Sequence, residues 1–304
     1  MSNKKTWRLG FVGFIYTPPK NITDPIEGLK WHMTKTKELG GGVTQFSPPQ
    51  NWTDKILNDV KEHMAKTNNE LELGCPVFGN FNLMGSLLGD NKEEIRKIVD
   101  SQIKAAKFLG VKILRCAYGK LKVEYSRFNK NIPLKDHMKV LVKNLKAAAK
   151  IMEANDCYLA IENHCDFTGR EFKEIFEAVG SNRIGCTLDT ANGFTVYCDP
   201  NEDVEYLAPY AFTTHIKDML VEDFKSDYGL HNMQARGCAV GDGHVDIPRA
   251  LNLLDKHSPF SKGLHVVIEQ GWMNYDGVKD REAYDKECVH KGLKYLKSLI
   301  NKKA

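Results

Sequence analysis

The chain has 304 residues, of which 42% are hydrophobic and 27% are charged, an ordinary composition for a folded globular protein. Its 43 basic and 39 acidic residues leave a net charge of +4, which is too small to indicate a polyanion-binding surface, so no nucleic-acid partner is expected. No apolar run approaches the roughly 20 residues of a membrane-spanning helix, so no membrane partner is expected either.

Short apolar segments alternate with amphipathic ones along the chain, at intervals of roughly 30 to 40 residues. Strands are predicted at 7–15, 43–47, 70–77, 111–118, 157–163, 184–189, 211–217 and 264–270. Helices are predicted after them at 25–39, 53–67, 92–109, 134–155, 169–180, 201–208, 246–257 and 280–301. Eight strand–helix pairs predict one α/β domain over residues 1–304, a (β/α)8 or TIM barrel. An open doubly wound sheet is disfavoured because no Gly-rich dinucleotide turn follows the first strand.

Local signals support several helix boundaries. Gly110 follows the third predicted helix, at the position where glycine commonly ends a helix. Thr168 and Glu171 have the spacing of a capping box before the fifth helix. Asp246 precedes the seventh helix as a cap, with Pro248 in the first turn.

Two connections are too long to be passive loops in a compact barrel. They are residues 119–133 and residues 218–244, and the second contains Tyr228, His231 and Arg236. Both connections follow the carboxyl ends of strands, where a barrel has its active site. We therefore predict that each forms a lid or a wall of the substrate site.

The cysteines indicate a reducing compartment rather than a disulfide framework. No two have the C-x-x-C spacing of zinc or redox pairs, and several lie in predicted strands, where a free thiol packs as a small apolar group. The apolar run at 9–16 is too short for a signal peptide, so a cytoplasmic protein is expected. The eight cysteines are Cys75, Cys116, Cys157, Cys165, Cys186, Cys198, Cys238 and Cys288.

Four metal-binding residue types end four successive predicted strands of the second half of the chain. They are Glu162, Asp189, His215 and Glu269. The carboxyl ends of barrel strands open onto one face, so these side chains are expected to converge there. Three carboxylates and one imidazole form a site for one divalent ion, with Mn²⁺ favoured and Mg²⁺, Co²⁺ or Zn²⁺ as alternatives. The chain is therefore predicted to be a metal-dependent enzyme.

Such a site favours proton chemistry beside a carbonyl group. Oxygen and imidazole ligands hold the ion and leave positions open for substrate oxygens. An ion bound to a carbonyl and its neighbouring hydroxyl makes the adjacent C–H more acidic. A carboxylate at the site can then remove and return the proton. Sugar isomerases, epimerases and β-eliminating sugar lyases share this first step.

The strand period places two further residues at the mouth of the predicted site. His164 lies two residues beyond Glu162, and Lys217 lies two beyond His215, so each should point the same way as its neighbour. His164 could act as an acid or base near neutral pH, or only orient Glu162. Lys217 could hold a substrate oxygen, or it could face solvent.

Further candidates for substrate binding lie at the fourth strand and in loops. Arg115, near the end of the fourth strand, could orient a hydroxyl or carboxylate of the substrate or form an internal salt bridge. Arg236, His231 and Trp272 lie in predicted loops after the strands that carry His215 and Glu269. Each could line the site.

These residues resemble the xylose isomerase-like TIM-barrel superfamily, the sugar phosphate isomerase/epimerase group. In ketose 3-epimerases of that superfamily, the matching Glu, Asp, His and Glu bind Mn²⁺ or Co²⁺, and the two Glu exchange a proton on opposite faces of the sugar. The resemblance therefore implies that Glu162 and Glu269 are both ligands and acid/base groups. The likeness covers essentially the whole chain and is sharpest at residues 161–164, 188–192, 214–218, 241–246 and 267–269.

A second branch of the superfamily implies a different reaction. The run Glu-Asn-His-Cys-Asp at 162–166 is similar to the metal-binding subunits of lyases that cleave 3-oxo-C-glycosides after deprotonation by a His. That resemblance would make His164 the base of an elimination, and a dehydratase stays open as well. Either resemblance implies that the substrate is a small carbohydrate. A homo-oligomer and a complex with a second subunit are both compatible with the sequence.

The metal-dependent abasic-site endonucleases share this barrel but need additional His ligands for three zinc ions. The second and third predicted strands end at residues 45–48 and 75–78 without His. Asn192 stands where those nucleases place a His three residues after the Asp. The nuclease reading is therefore disfavoured, as is a binding module without catalysis. The sequence predicts a metal-dependent sugar isomerase or epimerase, with a lyase as the alternative.

Overall fold

Parallel strands alternate with helices in the computed structural model, which describes the chain in several ranges. The described residues are 6–13, 16–47, 52–75, 78, 92–118, 123, 126–225, 229 and 231–301. The strands are β1 Arg8–Val12, β2 Val43–Phe46, β3 Glu70–Gly74, β4 Ile113–Ala117, β5 Tyr158–Glu162, β6 Ile184–Asp189, β7 Ala211–His215, β8 Asp218–Lys225, β9 His231–Cys238 and β10 His265–Ile268. The α-helices are α1 Pro25–Glu38, α2 Asp54–Thr67, α3 Lys92–Leu109, α4 Leu134–Ala154, α5 Gly169–Val179, α6 Pro200–Leu207, α7 Ile247–His257 and α8 Arg281–Asn301.

Eight of the strands form one parallel sheet in the order β10-β1-β2-β3-β4-β5-β6-β7. Its two edges meet just beyond the ends of β7 and β10. The backbone N–H of Ile216 donates to the carbonyl of Val267 at 2.7 Å, and the N–H of Glu269 donates to the carbonyl of Ile216 at 3.2 Å. The barrel is nearly closed, and the predicted (β/α)8 architecture is confirmed.

The main apolar core lies where the helices meet the strands. Leu29 of α1, Leu57 of α2, Leu141 of α4 and Leu251 of α7 are fully buried in it. Burying one such side chain is worth about 1.5–3 kcal/mol, so this layer supplies much of the stability. Several strand residues are instead polar and buried, Glu72 among them.

The predicted helix caps are present. The Thr168 side chain accepts from the backbone N–H of Glu171, whose side chain accepts from the N–H of Thr168, which completes a capping box. Asp246 caps α7 by accepting from the N–H of Arg249 at 3.0 Å. Gly110 has φ of 73° directly after α3, a conformation that glycine adopts without a steric penalty.

No strand was predicted in the connection at 218–244, and the structure differs there, while its role as a lid or wall of the substrate site stays a prediction. Most of this connection forms an antiparallel hairpin, in which β8 pairs with β9 from Asp218↔Cys238 to Lys225↔His231. Polar residues outnumber apolar ones there because one face of an antiparallel ribbon can be solvated. The carboxylate of Asp218 fixes the base of the hairpin by accepting from the N–H groups of Gly241, Gly243 and Val245.

The other long connection, at 119–133, is described only in part. Its part at 119–122 and 124–125 is not described, and the predicted lid there stays a prediction. All eight cysteines are free thiols, as expected. In the described ranges, no helix has both the length and the apolar character that crossing a membrane would require.

Candidate metal centre

The four predicted ligands meet at the carboxyl ends of the strands. Glu162, Asp189 and His215 are the last residues of β5, β6 and β7, and Glu269 directly follows β10. Each offers one ligand atom, and the four atoms lie within 4.8 Å of one another. The neighbouring order of β5, β6, β7 and β10 around the barrel produces this convergence.

Nδ1 of His215 lies at the centre of the cluster. It is 3.0 Å from Oε2 of Glu269, 3.3 Å from Oε1 of Glu162 and 4.0 Å from Oδ2 of Asp189. An imidazole nitrogen and three carboxylate oxygens that face one point are the donor set of a divalent-ion site.

Three buried atoms of this cluster lack a hydrogen bond of acceptable geometry within the described residues. They are Oδ2 of Asp189, Nδ1 of His215 and Oε2 of Glu269, although charged neighbours lie close to each. Buried polar atoms are almost always hydrogen-bonded, so three such atoms that face each other favour a common partner. A bound cation would satisfy all three, and the residues therefore fit a divalent metal.

The turn after β6 fixes Asp189. Its Oδ1 accepts from the backbone N–H groups of Ala191 and Asn192 at 2.8 and 2.9 Å. Its own N–H donates to Oδ1 of Asn163 at 2.7 Å, and the Asn163 amide donates back to the Asp189 carbonyl at 2.9 Å. One carboxylate oxygen is thus held by the backbone, and the other is directed at the centre of the cluster.

Asn192 is a site residue that the sequence analysis missed. Its Nδ2 donates to Oε1 of Glu162 at 3.1 Å, and its Oδ1 accepts from Nζ of Lys217 at 3.2 Å. The sequence analysis used Asn192 only as the place of an absent nuclease His. Its position three residues after Asp189 was the available signal, because the turn brings it back to the cluster.

Lys217 is 4% exposed, so the solvent-facing alternative is wrong. Its Nζ lies 2.9 Å from Oδ2 of Asp189, 2.9 Å from Oε2 of Glu269 and 4.7 Å from the centre of the Trp272 ring. Burial alone would lower the pKa of Lys217. The negative charges of Asp189, Glu269 and Glu162 outweigh burial, so the pKa lies above its ordinary value. The side chain is therefore a buried, charged ammonium group.

The cluster carries more negative charge than its own cations neutralise. Burial raises the pKa of Asp189 to about 7, aided by Glu269 and Glu162 and opposed by Lys217. Burial alone would lower the pKa of His215, but Glu269 and Glu162 raise it to about 10. Without an added cation, the carboxylates compete for protons, which is the electrostatic setting that a divalent ion relieves.

A cavity of about 560 Å³ opens onto the cluster, a size suited to a small molecule. Glu162 and Glu269 line it, whereas Asp189 is not among the lining residues. The lining residues are Val12, Gly13, Gln45, Phe46, Ser47, Arg115, Glu162, His164, His215, Lys217, Glu269, Gly271 and Trp272.

His164 lines the cavity but does not orient Glu162. Its Nδ1 lies 3.2 Å from Sγ of Cys165, and its ring centre is 6.5 Å from that of Trp272. Among the described residues, Asn192 rather than His164 donates a hydrogen bond to Glu162. The His164 ring therefore faces the space available to a substrate.

Arg115 forms the predicted internal ion pair, and its contact with substrate stays a prediction. Its Nε lies 3.3 Å from Oε2 of the buried Glu72, which is an internal ion pair. Its Nη1 is 3.2 Å from Nε2 of His215, and the side chain also lines the cavity. Arg115 is therefore paired with Glu72 at the wall of the cavity.

The hairpin places Arg236 and Trp272 differently. Arg236, on β9, donates to Oδ1 of Asn274 at 3.2 Å and is not among the residues that line the cavity, so its contact with substrate stays a prediction. Trp272 lines the cavity, and its carbonyl accepts from the N–H of Gly237 on β9 at 2.8 Å. A Cβ at position 237 would overlap the carbonyl oxygen of Gly271, so only glycine allows this approach. The side chain of His231 lies outside the described part of the chain.

Solved structures with the same architecture cover nearly the whole chain. A xylose isomerase-like TIM barrel protein from Mycobacterium smegmatis, in complex with magnesium, is 13% identical with a TM-score of 0.69, and the match covers 97% of each chain. D-psicose 3-epimerase from Clostridium cellulolyticum H10, with D-tagatose, is 16% identical with a TM-score of 0.68, over 96% of this chain and 99% of the other. IOLI protein with a bound zinc atom is 18% identical with a TM-score of 0.64, over 97% and 98%.

At these identities the likeness establishes the fold alone. No curated protein matches the sequence significantly. The sequence profile described as "Xylose isomerase-like TIM barrel" matches residues 33–299, which is most of the chain. The chain therefore belongs to the xylose isomerase-like TIM barrel family.

Proposed function

We propose that the protein is a divalent-metal-dependent isomerase or epimerase that removes a proton next to a carbonyl group of a ketose or oxidised sugar. One observation carries this proposal. Glu162 and Glu269 both lie within 3.3 Å of Nδ1 of His215, and both line the cavity. Asp189 belongs to the cluster but is not among the residues that line the cavity. Two carboxylates are thus available for proton transfer to and from one bound molecule.

Glu162, Asp189, His215 and Glu269 would hold the metal, with Mn²⁺ as the expected ion. The bound ion would polarise the substrate carbonyl and so acidify the neighbouring C–H. The three unsatisfied atoms of the cluster support this assignment. Two proteins of the same fold contain magnesium and zinc, so the choice of metal is open to measurement.

The remaining residues of the cavity would bind and orient the substrate. Glu162 would remove the proton on one side of the carbon and Glu269 would return it on the other, or the reverse. Lys217, charged and 2.9 Å from Glu269, would donate to the substrate oxygen on which negative charge develops. Arg115 would donate to a hydroxyl group, and Trp272 would cover an apolar face of the sugar ring.

Proteins of similar fold support a small sugar as substrate. They include D-psicose 3-epimerase with D-tagatose and L-ribulose 3-epimerase. Their sequence identities of 16% and 15% are too low to transfer a substrate, so the sugar must be found by assay.

The experiment is incubation with a panel of ketoses in D₂O after loading with Mn²⁺. We expect deuterium at a single carbon next to the carbonyl and formation of the isomer or epimer. Glu162→Gln and Glu269→Gln should each slow turnover by about 10²–10⁴-fold, since each removes one acid/base group. In an epimerase, each variant should still exchange the hydrogen of one epimer, and the two variants should differ in which epimer that is.

His257→Gln is the matched control, because this residue lies at the end of α7, away from the strand ends. It should exchange and turn over like the wild type. Full metal binding without deuterium incorporation into any ketose would contradict the proposal and favour a binding role.

A lyase is the second candidate, and the position of His164 favours it. His164 lines the cavity, and no carboxylate hydrogen bond of its ring is found in the described ranges. A general base that takes a proton from a substrate carbon needs a ring nitrogen that is exposed to the cavity. In that case, 3-oxo-glycosides would undergo elimination, and His164→Gln would abolish deuterium exchange while metal binding persisted. Retained exchange in His164→Gln would exclude this mechanism.

Compartment and assembly stay predictions. The free thiols of all eight cysteines are the state that a reducing cytoplasm maintains. Cell fractionation would test a cytoplasmic location, and size-exclusion chromatography with light scattering would separate a homo-oligomer from a monomer that needs a second subunit.

A further inference from the structure

A line of hydrogen-bonded polar side chains runs from the candidate metal centre through the barrel. Nε2 of His215 lies 2.7 Å from Oε1 of Gln45, and Nε2 of Gln45 donates to Oε2 of Glu72 at 2.8 Å. Oε1 of Glu72 lies 2.5 Å from Nδ1 of His265, whose Nε2 is 2.9 Å from Oε2 of Glu70. The sequence analysis assigned no role to any of these four partners.

Glu72 determines which way the Gln45 amide faces. Glu72 is fully buried, and burial would raise its pKa, but hydrogen bonding and the charge of His265, with the charge of Arg115, lower it. The side chain is therefore a carboxylate, which only accepts hydrogen bonds. Gln45 must turn its NH₂ group to Glu72, and its carbonyl oxygen Oε1 must face His215.

In a His215 ring that has lost one proton to bind a metal, the orientation of Gln45 determines which nitrogen keeps the other proton. Oε1 of Gln45 only accepts, so Nε2 of His215 must donate. The other nitrogen, Nδ1, is then the one left to bind a cation, and it is the nitrogen that faces the three carboxylates. Arg115 Nη1, 3.2 Å from the same Nε2, is itself a donor, so that contact is not a hydrogen bond.

We propose that Glu72, acting through Gln45, is a positioning residue that holds His215 in the Nε2–H form and directs its Nδ1 to the metal. The inference rests on the proposed metal site but not on the reaction that follows. A purely structural role would not predict the same effects. The positioning role predicts that metal affinity depends on which of positions 45 and 72 carries the amide and which carries the carboxylate.

The test exchanges that order. Glu72→Gln replaces the carboxylate with an amide of the same shape, which no longer forces the Gln45 carbonyl toward His215. Zn²⁺ affinity, measured by competition with a chromophoric chelator, should fall about 10–100-fold. In the double variant Gln45→Glu with Glu72→Gln, the carboxylate at position 45 accepts from both His215 and the new amide. Affinity should return to within about threefold of the wild type.

Thr44→Val is the matched control. Thr44 is the buried neighbour of Gln45 on β2, but its hydroxyl bonds Thr36 and Asn69 instead. Its loss removes buried hydrogen bonds of the same strand, so it should cost stability without changing Zn²⁺ affinity. An affinity loss equal to that of Glu72→Gln would show a general effect of strand disruption and overturn the inference.

The other outcomes separate the two proposals. A wild type that binds no Zn²⁺ would overturn the metal site itself. A folded Glu72→Gln protein with wild-type affinity, or a double variant that stays as weak as the single one, would overturn the positioning role only. If Glu72→Gln does not fold, Gln45→Met takes its place, because it removes the acceptor for Nε2. Unchanged affinity in Gln45→Met would then refute the inference.

Discussion

Two groups of charged side chains lie at opposite ends of the barrel, and they differ in how completely they are paired. The upper cluster comprises Glu162, Asp189, His215, Lys217 and Glu269, at the carboxyl ends of the strands. The lower cluster comprises Arg8, Glu70, Glu72, Arg115 and His265, deeper in the barrel and toward its amino end. In the lower cluster, both oxygens of Glu72 have hydrogen-bond partners, although Nε of Arg115 has none among the described residues. In the upper cluster, three such buried atoms face one another.

The order of charges explains the difference. In the lower cluster each carboxylate lies between two cations, because Glu72 contacts Arg115 and His265, and Glu70 contacts His265 and Arg8. The upper cluster has three carboxylates for one lysine and one histidine. The lower cluster has three cations for two carboxylates and so needs no added cation, whereas the upper cluster has more carboxylates than cations and is suited to binding one.

Truncating Glu72 should have the largest effect on stability. Glu72→Ala leaves Arg115 and His265 buried without their common partner, which costs about 3–5 kcal/mol for a buried pair broken on one side. Glu70→Ala is the comparison, since its side chain is 49% exposed and a pair of that kind contributes about 1 kcal/mol or less. Urea denaturation followed by circular dichroism measures both, and equal losses would show that the lower cluster does not act as a buried unit.

The lower cluster should also give stability a dependence on pH. Burial alone would lower the pKa of His265, but Glu70 and Glu72 raise it to about 9. The folded protein thus holds this proton more tightly than the unfolded chain, so the stabilisation is complete below pH of about 6.5 and is lost as pH rises toward 9. The difference in unfolding free energy between wild type and His265→Gln, measured without metal, should shrink by on the order of 3 kcal/mol across this window. A difference that is constant with pH would refute it.

Removing one carboxylate of the upper cluster should affect metal binding instead of folding. Asp189→Asn should weaken Mn²⁺ binding by more than about 100-fold, since a direct ligand matters more than an outer partner. Metal-free stability should hold or rise, because the crowded carboxylate is lost. Asp203→Asn is the control, a buried carboxylate that caps Gly169 outside the cluster. Isothermal titration should find its Mn²⁺ affinity unchanged.

Lys217→Met should have the smallest effect. It removes a positive charge 2.9 Å from two of the proposed ligands, so Mn²⁺ should bind about 3- to 10-fold more tightly, while the methionine keeps most of the packing. Catalysis should nevertheless fall, because the donor to the substrate oxygen is gone. Weaker Mn²⁺ binding in a folded Lys217→Met protein would show that Lys217 organises the carboxylates instead of competing with the ion.

The upper cluster could be predicted from the sequence and the lower cluster could not. A barrel brings all strand ends to one face, so residue type at the ends of β5, β6 and β7 was sufficient for Glu162, Asp189 and His215. Glu72 and His265 lie within strands, and their contact joins positions 193 residues apart. The alternation of Glu70 and Glu72 in one short strand was a signal, but it does not reveal which partner neutralises them.

The hairpin was missed for a related reason. Asp218–Lys225 shows no apolar–polar alternation, because Met219, Leu220 and Val221 are consecutive apolar residues and Glu222 and Asp223 are consecutive acidic ones. Strands buried in the barrel give a strong apolar signal, whereas a solvated ribbon owes its form to backbone pairing. Its contact with Trp272 depends on Gly237, whose role appears only when the two backbones are seen together.

The exchange of amide and carboxylate between positions 45 and 72 also makes a prediction about related sequences. Because Gln45, Glu72 and His265 form one line, a change of donor to acceptor at Gln45 or His265 leaves two acceptors facing each other inside the barrel. Relatives that depart from this arrangement should therefore change at least two of the three positions together. An alignment in which position 45 varies freely while position 72 stays Glu would show that selection does not act on the line as a unit.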